Sequence, residues 1–127
     1  MEKVAWILVR DDKILAARND GRTLFYLPGG QREPGETDAQ TLTREIWEEL
    51  TVRLDPRTLT LVGSCVTQRD GRSDTFRMIA YTADYAGDLQ PASEIAEIAW
   101  FGYADYDRVT PAAQHFFDQL RAARQLV

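Results

Sequence analysis

Apolar and polar positions alternate along much of this chain, and the alternation divides it into short strands. Residues 3–10, Lys-Val-Ala-Trp-Ile-Leu-Val-Arg, have the β-branched and aromatic content of a strand. Asp11-Asp12 marks a turn and residues 13–18 return as a second strand, so the pair predicts a hairpin. Residues 19–22 are polar, contain Gly21 and read as a loop. Residues 24–27 read as a short apolar strand stopped by a tight turn at Pro28-Gly29-Gly30. The period then changes. Thr37, with Gln40 three residues on, predicts a capping box that opens a helix over residues 38–50. At about 100° per residue, Ala39, Leu42, Ile46 and Leu50 share one arc suited to burial, and Glu45, Glu48 and Glu49 share the adjacent arc. Asp55-Pro56-Arg57 breaks the pattern, and residues 58–68 and 75–85 predict two strands around a turn at Asp70-Gly71. A loop over 86–91, a last strand over 94–101 and a loop through Val109 follow. Thr110 and Pro111 then cap and open a C-terminal helix whose apolar face is Phe116, Phe117 and Leu120. Strands that precede, separate and follow the helices predict a mixed α/β (α+β) sandwich with a mixed sheet, not a doubly wound parallel sheet.

Composition narrows the functional classes. The length of 127 residues predicts one domain spanning 1–127, and 44% hydrophobic with 28% charged content is ordinary for a globular chain. No apolar run is long enough to cross a bilayer, so no membrane partner is expected. The N-terminal segment lacks the basic and apolar regions of a signal peptide, which makes the cytoplasm the expected location. The single cysteine, Cys65, excludes an internal disulfide framework and a cysteine zinc cluster. A net charge of −5 argues against a nucleic-acid polymer as partner. It leaves a small nucleotide open, because bound cations reverse the sign of a local field.

The three helix glutamates carry the candidate chemistry. Clustered charge usually means a solvated face. Like charges at i and i+4 destabilise a helix, and negative charge is disfavoured near its C-terminal end. Glu48 and Glu49 are thus poorly placed for stability alone, and a bound divalent cation would relieve both penalties. Gly29-Gly30 allows backbone to approach a ligand closely, and its carbonyls suit a hard cation such as Mg²⁺.

Gly30, then Glu36, then Arg44-Glu45-Ile46-Trp47-Glu48-Glu49 closely resembles the signature of the Nudix hydrolase family, of the MutT-like kind. Every charged position of that signature is present, and the strand order around it extends the similarity over nearly the whole chain. Thr51 stands where the signature has glycine, a departure that concerns the helix exit and not the ligands. The resemblance implies an α/β/α sandwich that hydrolyses a nucleoside diphosphate linked to a further group, using Mg²⁺ or Mn²⁺. It implies Glu45, Glu48 and Glu49 as metal ligands, joined by a carbonyl of Gly29 or Gly30. Arg44 would hold the glutamates through ion pairs, with Glu36 bracing Arg44. Glu48 and Glu49 are both candidates for the general base. Glu94, six residues before Trp100, is a candidate further ligand or water activator, with Glu97 its rival. Homodimers are frequent in the family and are compatible with this chain. A catalytically silent nucleotide-binding module of the same fold is the alternative, but its usual mark is loss of the motif glutamates, and none is lost here. The marks associated with ADP-ribose and dinucleoside polyphosphate subfamilies fall near Thr67 and Arg69, where neither is present.

The remaining candidates have plainer expectations. Of Arg18, Arg22, Arg32, Arg69 and Arg77, one or two are expected at phosphates and the others at the surface. Trp6, Phe25, Tyr26 and Phe76 offer rings for base stacking, although core packing is the default for strand aromatics, as for Trp100 and Phe101. His115 is expected at the surface or in packing, and Cys65 as a small buried apolar residue.

Overall fold

The alternation over residues 3–10 serves two sheets, not one strand. The computed structural model describes residues 1–69 and 73–127, so the turn expected at Asp70-Gly71 lies outside the described residues. Among the described residues the chain runs β1 (Glu2–Trp6), β2 (Val9–Arg10), β3 (Lys13–Asn19), β4 (Gly29–Gln31), α1 (Asp38–Leu50), β5 (Arg53–Leu54), β6 (Thr60–Gln68), β7 (Thr75–Thr82), β8 (Tyr85–Ala86), β9 (Ile95–Phe101) and α2 (Pro111–Ala122). Short 3-10 helices occupy Pro56–Thr58 and Tyr103–Arg108. One sheet has the order β4-β1-β7-β6, with β1 and β7 parallel and the other neighbours antiparallel, so it is mixed as expected. A second, antiparallel sheet has the order β2-β3-β9, and β5 pairs with β8. The expected hairpin survives only as β2 on β3, because the chain leaves the first sheet at Ile7 and Leu8.

The period-two pattern builds both faces. Val4 and Trp6 of β1 pack with Leu15 and with Leu42, Ile46 and Leu50 of α1. Ala5 and Ile7 point the other way and pack with Ile14, Ala16, Met78 and Ala80 under Phe116, Phe117 and Leu120 of α2. The strands thus lie between two helices in an α/β/α sandwich, and each fully buried large side chain contributes roughly 1.5–3 kcal/mol. Of the arc assigned to burial on α1, Leu42, Ile46 and Leu50 are fully buried and Ala39 is half-buried. Among the described residues no helix is long and apolar enough to cross a membrane.

Several expected boundaries move. Residues 24–27 form no strand and make only isolated bridges, Tyr26 to Ala17 and Phe25 to Val109. The expected turn at Gly29-Gly30 is instead the strand β4, paired to Ala5 and Val4 of β1. β7 stops at Thr82, and β8 forms where a loop was expected to begin. β9 starts at Ile95, which leaves Glu94 on the preceding loop.

Helix α1 is fixed at both ends. Thr37 Oγ1 accepts from the Gln40 N–H at 3.1 Å and Gln40 Oε1 accepts from the Thr37 N–H at 2.9 Å, so the capping box forms as read. Thr51 takes the left-handed conformation (φ 60°, ψ 22°) that glycine would take, so the exit geometry is kept at a cost of roughly 1–2 kcal/mol. A loop then satisfies the helix carbonyls: Gln90 N–H donates to Leu50 O at 3.0 Å and Ala92 N–H to Glu49 O at 2.9 Å. Thr51 Oγ1 also donates to Asp88 O at 3.3 Å.

Candidate active site

The two glycines of β4 make room for the carboxylates of α1. A Cβ on Gly30 would stand 2.3 Å from Glu45 Cδ, so the Glu45 carboxyl occupies the space that a side chain there would fill. Gly29 has φ 146°, and a Cβ there would lie 2.0 Å from Val4 O of the paired strand. The Gly29 N–H donates to Glu49 Oε1 at 3.1 Å. Helix and strand are thereby held together through the functional groups themselves.

Arg44 organises the acidic cluster. Its Nε and Nη2 donate to Glu36 Oε2 and Oε1, both at 2.9 Å, and its Nη1 donates to Glu45 Oε1 at 2.9 Å. Glu48 lies 3.8 Å from the same Nη1, with its side chain half exposed. The Arg44 fork, followed by the Glu33 N–H, holds Glu36 down to about 2, so it stays ionised as an anchor. Glu36 also accepts from Thr41 Oγ1 at 3.0 Å. The bracing implied for Arg44 and Glu36 is thus the arrangement present.

A cleft of about 490 Å³ opens beside this cluster, within the size range of small-molecule sites. Glu45, Glu49 and Glu94 line it together with Gly29 and Gly30. Glu48 is not in that lining and stands at the surface beside Arg44. Glu49 is only 3% exposed, and burial, with the charges of Glu45, Glu94 and Glu48 adding to it, pushes its carboxyl up to about 8 against the opposing Gly29 N–H. Burial also raises Glu45, against the opposing pull of Arg44. Glu94 O accepts from the Asp20 N–H at 3.0 Å, which fixes its loop to the opposite rim. Glu97 is engaged elsewhere, paired with Arg18 Nε at 2.9 Å.

The donor set fits a divalent cation. Carboxylates forced together and raised in proton affinity are relieved by a hard positive ion, and oxygen donors suit Mg²⁺. Among the described residues no three acidic, histidine or cysteine side chains form a ready-made cage. Mg²⁺ commonly completes its shell with water and substrate phosphates.

The rest of the cleft crosses the sheet from β4 toward β6, with Lys3, Phe76, Met78, Gln68 and Arg69 in its lining. Of the arginines considered from sequence, Arg22 and Arg69 line it. Arg18 is tied to Glu97, Arg32 to Glu2 and Asp38, and Arg77 lies near Glu2. Phe76 and Tyr26 also line it, whereas Trp6 and Phe25 are core residues, packed edge-on against Tyr85 and Phe101. Trp100 is half-buried under Arg10, and Phe101 is buried. His115 is exposed and edges Phe116, while Cys65 is half-buried where full burial was expected. Lys3, Asn19 and Gln68 were not anticipated. A lone lysine in an apolar alternation was the only available signal, and it is indistinguishable from a solvent-facing residue.

The NUDIX domain model matches residues 2–120. The human protein named 8-oxo-dGDP phosphatase NUDT18 is 30% identical over 118 residues, 88% of this chain and 34% of its own length, so this chain spans about a third of that relative. The Escherichia coli (strain K12) CTP pyrophosphohydrolase is 35% identical over 107 residues, covering 79% of this chain and 74% of that one. The solution structure of the E. coli ORF135 protein aligns with a TM-score of 0.75 at 34% identity, over 97% of this chain and 91% of that one. A MutT NUDIX hydrolase from Burkholderia pseudomallei shares the fold, with a TM-score of 0.78 at 22% identity over 94% and 96% of the two chains. With the motif, the sandwich and a family match over nearly its full length, the chain belongs to the Nudix hydrolase family.

Proposed function

We propose that this protein hydrolyses a pyrophosphate bond in a nucleoside diphosphate linked to a further group, with nucleoside triphosphates as the foremost substrates and Mg²⁺, or Mn²⁺ in its place, as cofactor. The observation that carries this is one cleft in which Glu45, Glu49 and Glu94 share the lining with Arg22 and Arg69. Carboxylates for cations and cations for phosphates are the complement of a metal-bound polyphosphate. The names of the E. coli and human relatives, a CTP pyrophosphohydrolase and an 8-oxo-dGDP phosphatase, support the same class of substrate.

Glu45 and Glu49 would hold the cation with a carbonyl of Gly29 or Gly30, and Glu48 would join from the exposed side of α1. The bound metal supplies charge neutralisation on the phosphates and a water of lowered pKa. The Gly29 N–H fixes Oε1 of Glu49, which would leave Oε2 for the cation. Arg44 keeps Glu45 and Glu48 in place, while Glu36 stays charged against it. Glu94 faces the cleft from a separate element and accepts the proton of the attacking water, with Glu48 and Glu49 as the other carboxylates able to do so.

The test is a panel of ribo-, deoxy- and oxidised nucleoside triphosphates and nucleoside diphosphate derivatives, each assayed with Mg²⁺, Mn²⁺ and chelator. Metal-dependent release of phosphate or pyrophosphate from some of them is expected. Nucleotide binding without turnover under either metal would replace hydrolysis with the silent binding module.

A further inference from the structure

We propose, on the basis of the nucleotide reading above, that Lys3 reads the base: its ammonium donates to a base carbonyl, so the cleft prefers nucleotides that carry one over adenine nucleotides. Lys3 sits on β1 between β4 and β7, in register with Gln31 and Met78. It is half-buried and lines the cleft, with its ammonium 5.2 Å from the centroid of the Phe76 ring. Among the described residues it makes no hydrogen bond or ion pair. Arg69, the neighbouring cation, is paired with Asp74 at 3.1 Å. Burial, then the charge of Arg69, lowers the Lys3 pKa against the opposing charge of Glu49, as expected for an ammonium that has lost water and gained no hydrogen-bonded acceptor.

An ammonium only donates, so the group that completes it must be an oxygen or nitrogen acceptor. The surroundings decide which. The carboxylates that would hold the cation, and through it the phosphates, come from α1 and from the loop before β9. Lys3 is near enough to Glu49 and Glu45 for their charges to act on it, but its ammonium lies over the Phe76 ring, beside Met78 of β7, where the surface is aromatic and apolar. Such a surface suits a flat base and is poor company for a phosphate. Guanine carries a carbonyl at O6, and the pyrimidines carry one at O2. Adenine has none; its acceptors are ring nitrogens, and N1 and N7 each lie beside the exocyclic amino group, a second donor that would face the ammonium. A half-buried donor that must exchange a carbonyl for such an acceptor discriminates against the near-isostere.

The experiment measures equilibrium binding of CTP, UTP, GTP and ATP by isothermal titration calorimetry in Ca²⁺, on the wild type, Lys3→Met and Lys3→Arg, with Mg²⁺-dependent turnover assayed in parallel. The wild type is expected to bind the three carbonyl-bearing nucleotides at least about tenfold more tightly than ATP. Lys3→Met is expected to remove that preference by weakening those three while leaving ATP unchanged, and Lys3→Arg to keep part of it. Should the Met variant fail to fold, as judged by circular dichroism, Lys3→Leu takes its place with the same expectation. Equal weakening of all four nucleotides would show a phosphate contact and overturn the proposal. So would an unchanged profile in the variant, or a wild type that binds ATP as well as the others or binds none. Selective binding without any turnover would sink the hydrolase reading and leave the role of Lys3 standing.

Discussion

Replacing Glu49 by Gln is expected to lower turnover by about 10²–10⁴-fold while raising the melting temperature of the metal-free protein at pH 8. The two effects have one cause. Glu49 is 3% exposed and faces the charges of Glu45, Glu94 and Glu48, so its carboxyl is pushed from the usual 4.5 up to about 8, first by burial. The folded state therefore holds that proton more tightly than the unfolded chain does. Stability from this group is fully present below about 4.5 and is lost as pH climbs toward 8. Glutamine keeps the shape, can still accept from the Gly29 N–H, and carries no charge to desolvate. Calorimetric melting in chelator across pH 5–8 should show the variant gaining on the wild type as pH rises, with little difference at the acid end. A divalent cation reverses the order. In the proposed site it would bind the ionised carboxylate, so Mg²⁺ should raise the wild-type melting temperature more at pH 8 than at pH 6 and should hardly move the variant. Parallel melting profiles in chelator, or unchanged turnover, would remove Glu49 from the metal site.

Gly29→Ala is expected to be the more damaging change to the fold. The added methyl would lie 2.0 Å from Val4 O and 2.9 Å from Ala5 Cα, both backbone atoms of the paired strand, so no side-chain movement relieves the clash. The φ of 146° is itself unfavourable for any residue with a Cβ. Restoring clearance means pulling β4 from β1, which also breaks the Gly29 bond to Glu49. A loss of about 3–5 kcal/mol is expected, or a fall of roughly 10–20 °C in melting temperature. Gly21→Ala is the control, because nothing lies within 4 Å of a Cβ there, although its φ of +80° carries its own smaller strain. Similar melting temperatures for the two variants would refute the close-approach account of Gly29.

What could be read from the residues was what local chemistry determines. Thr37 and Gln40 announced the start of α1, Thr110 and Pro111 the start of α2, and the spacing of Leu42, Ile46 and Leu50 the buried arc of α1. The charged positions from Glu36 to Glu49 were legible because a helix fixes their spacing. The errors occurred where distant partners decide. Glycine has little strand propensity, so β4 at Gly29–Gln31 exists only because β1 pairs with it. A period of two has no mark for a change of sheet, which hid the crossover at Ile7 and Leu8. Glu94 and Glu97 sit three residues apart on adjoining loop and strand, and only the position of Arg18 separates them. Lys3 is invisible for the same reason, since its surroundings come from β4, β7 and the end of β6.

The loop before β9 has two duties that cannot be separated. The peptide groups of Gln90 and Ala92 close the end of α1 at Glu49 and Leu50, and a few residues on the same segment presents Glu94 to the cleft. Fraying of the helix terminus and misplacement of the third carboxylate are therefore a single event. The protein would lose the proposed arrangement of carboxylates by a local opening that leaves both packed layers intact, so inactivation by heat and melting of the core need not coincide.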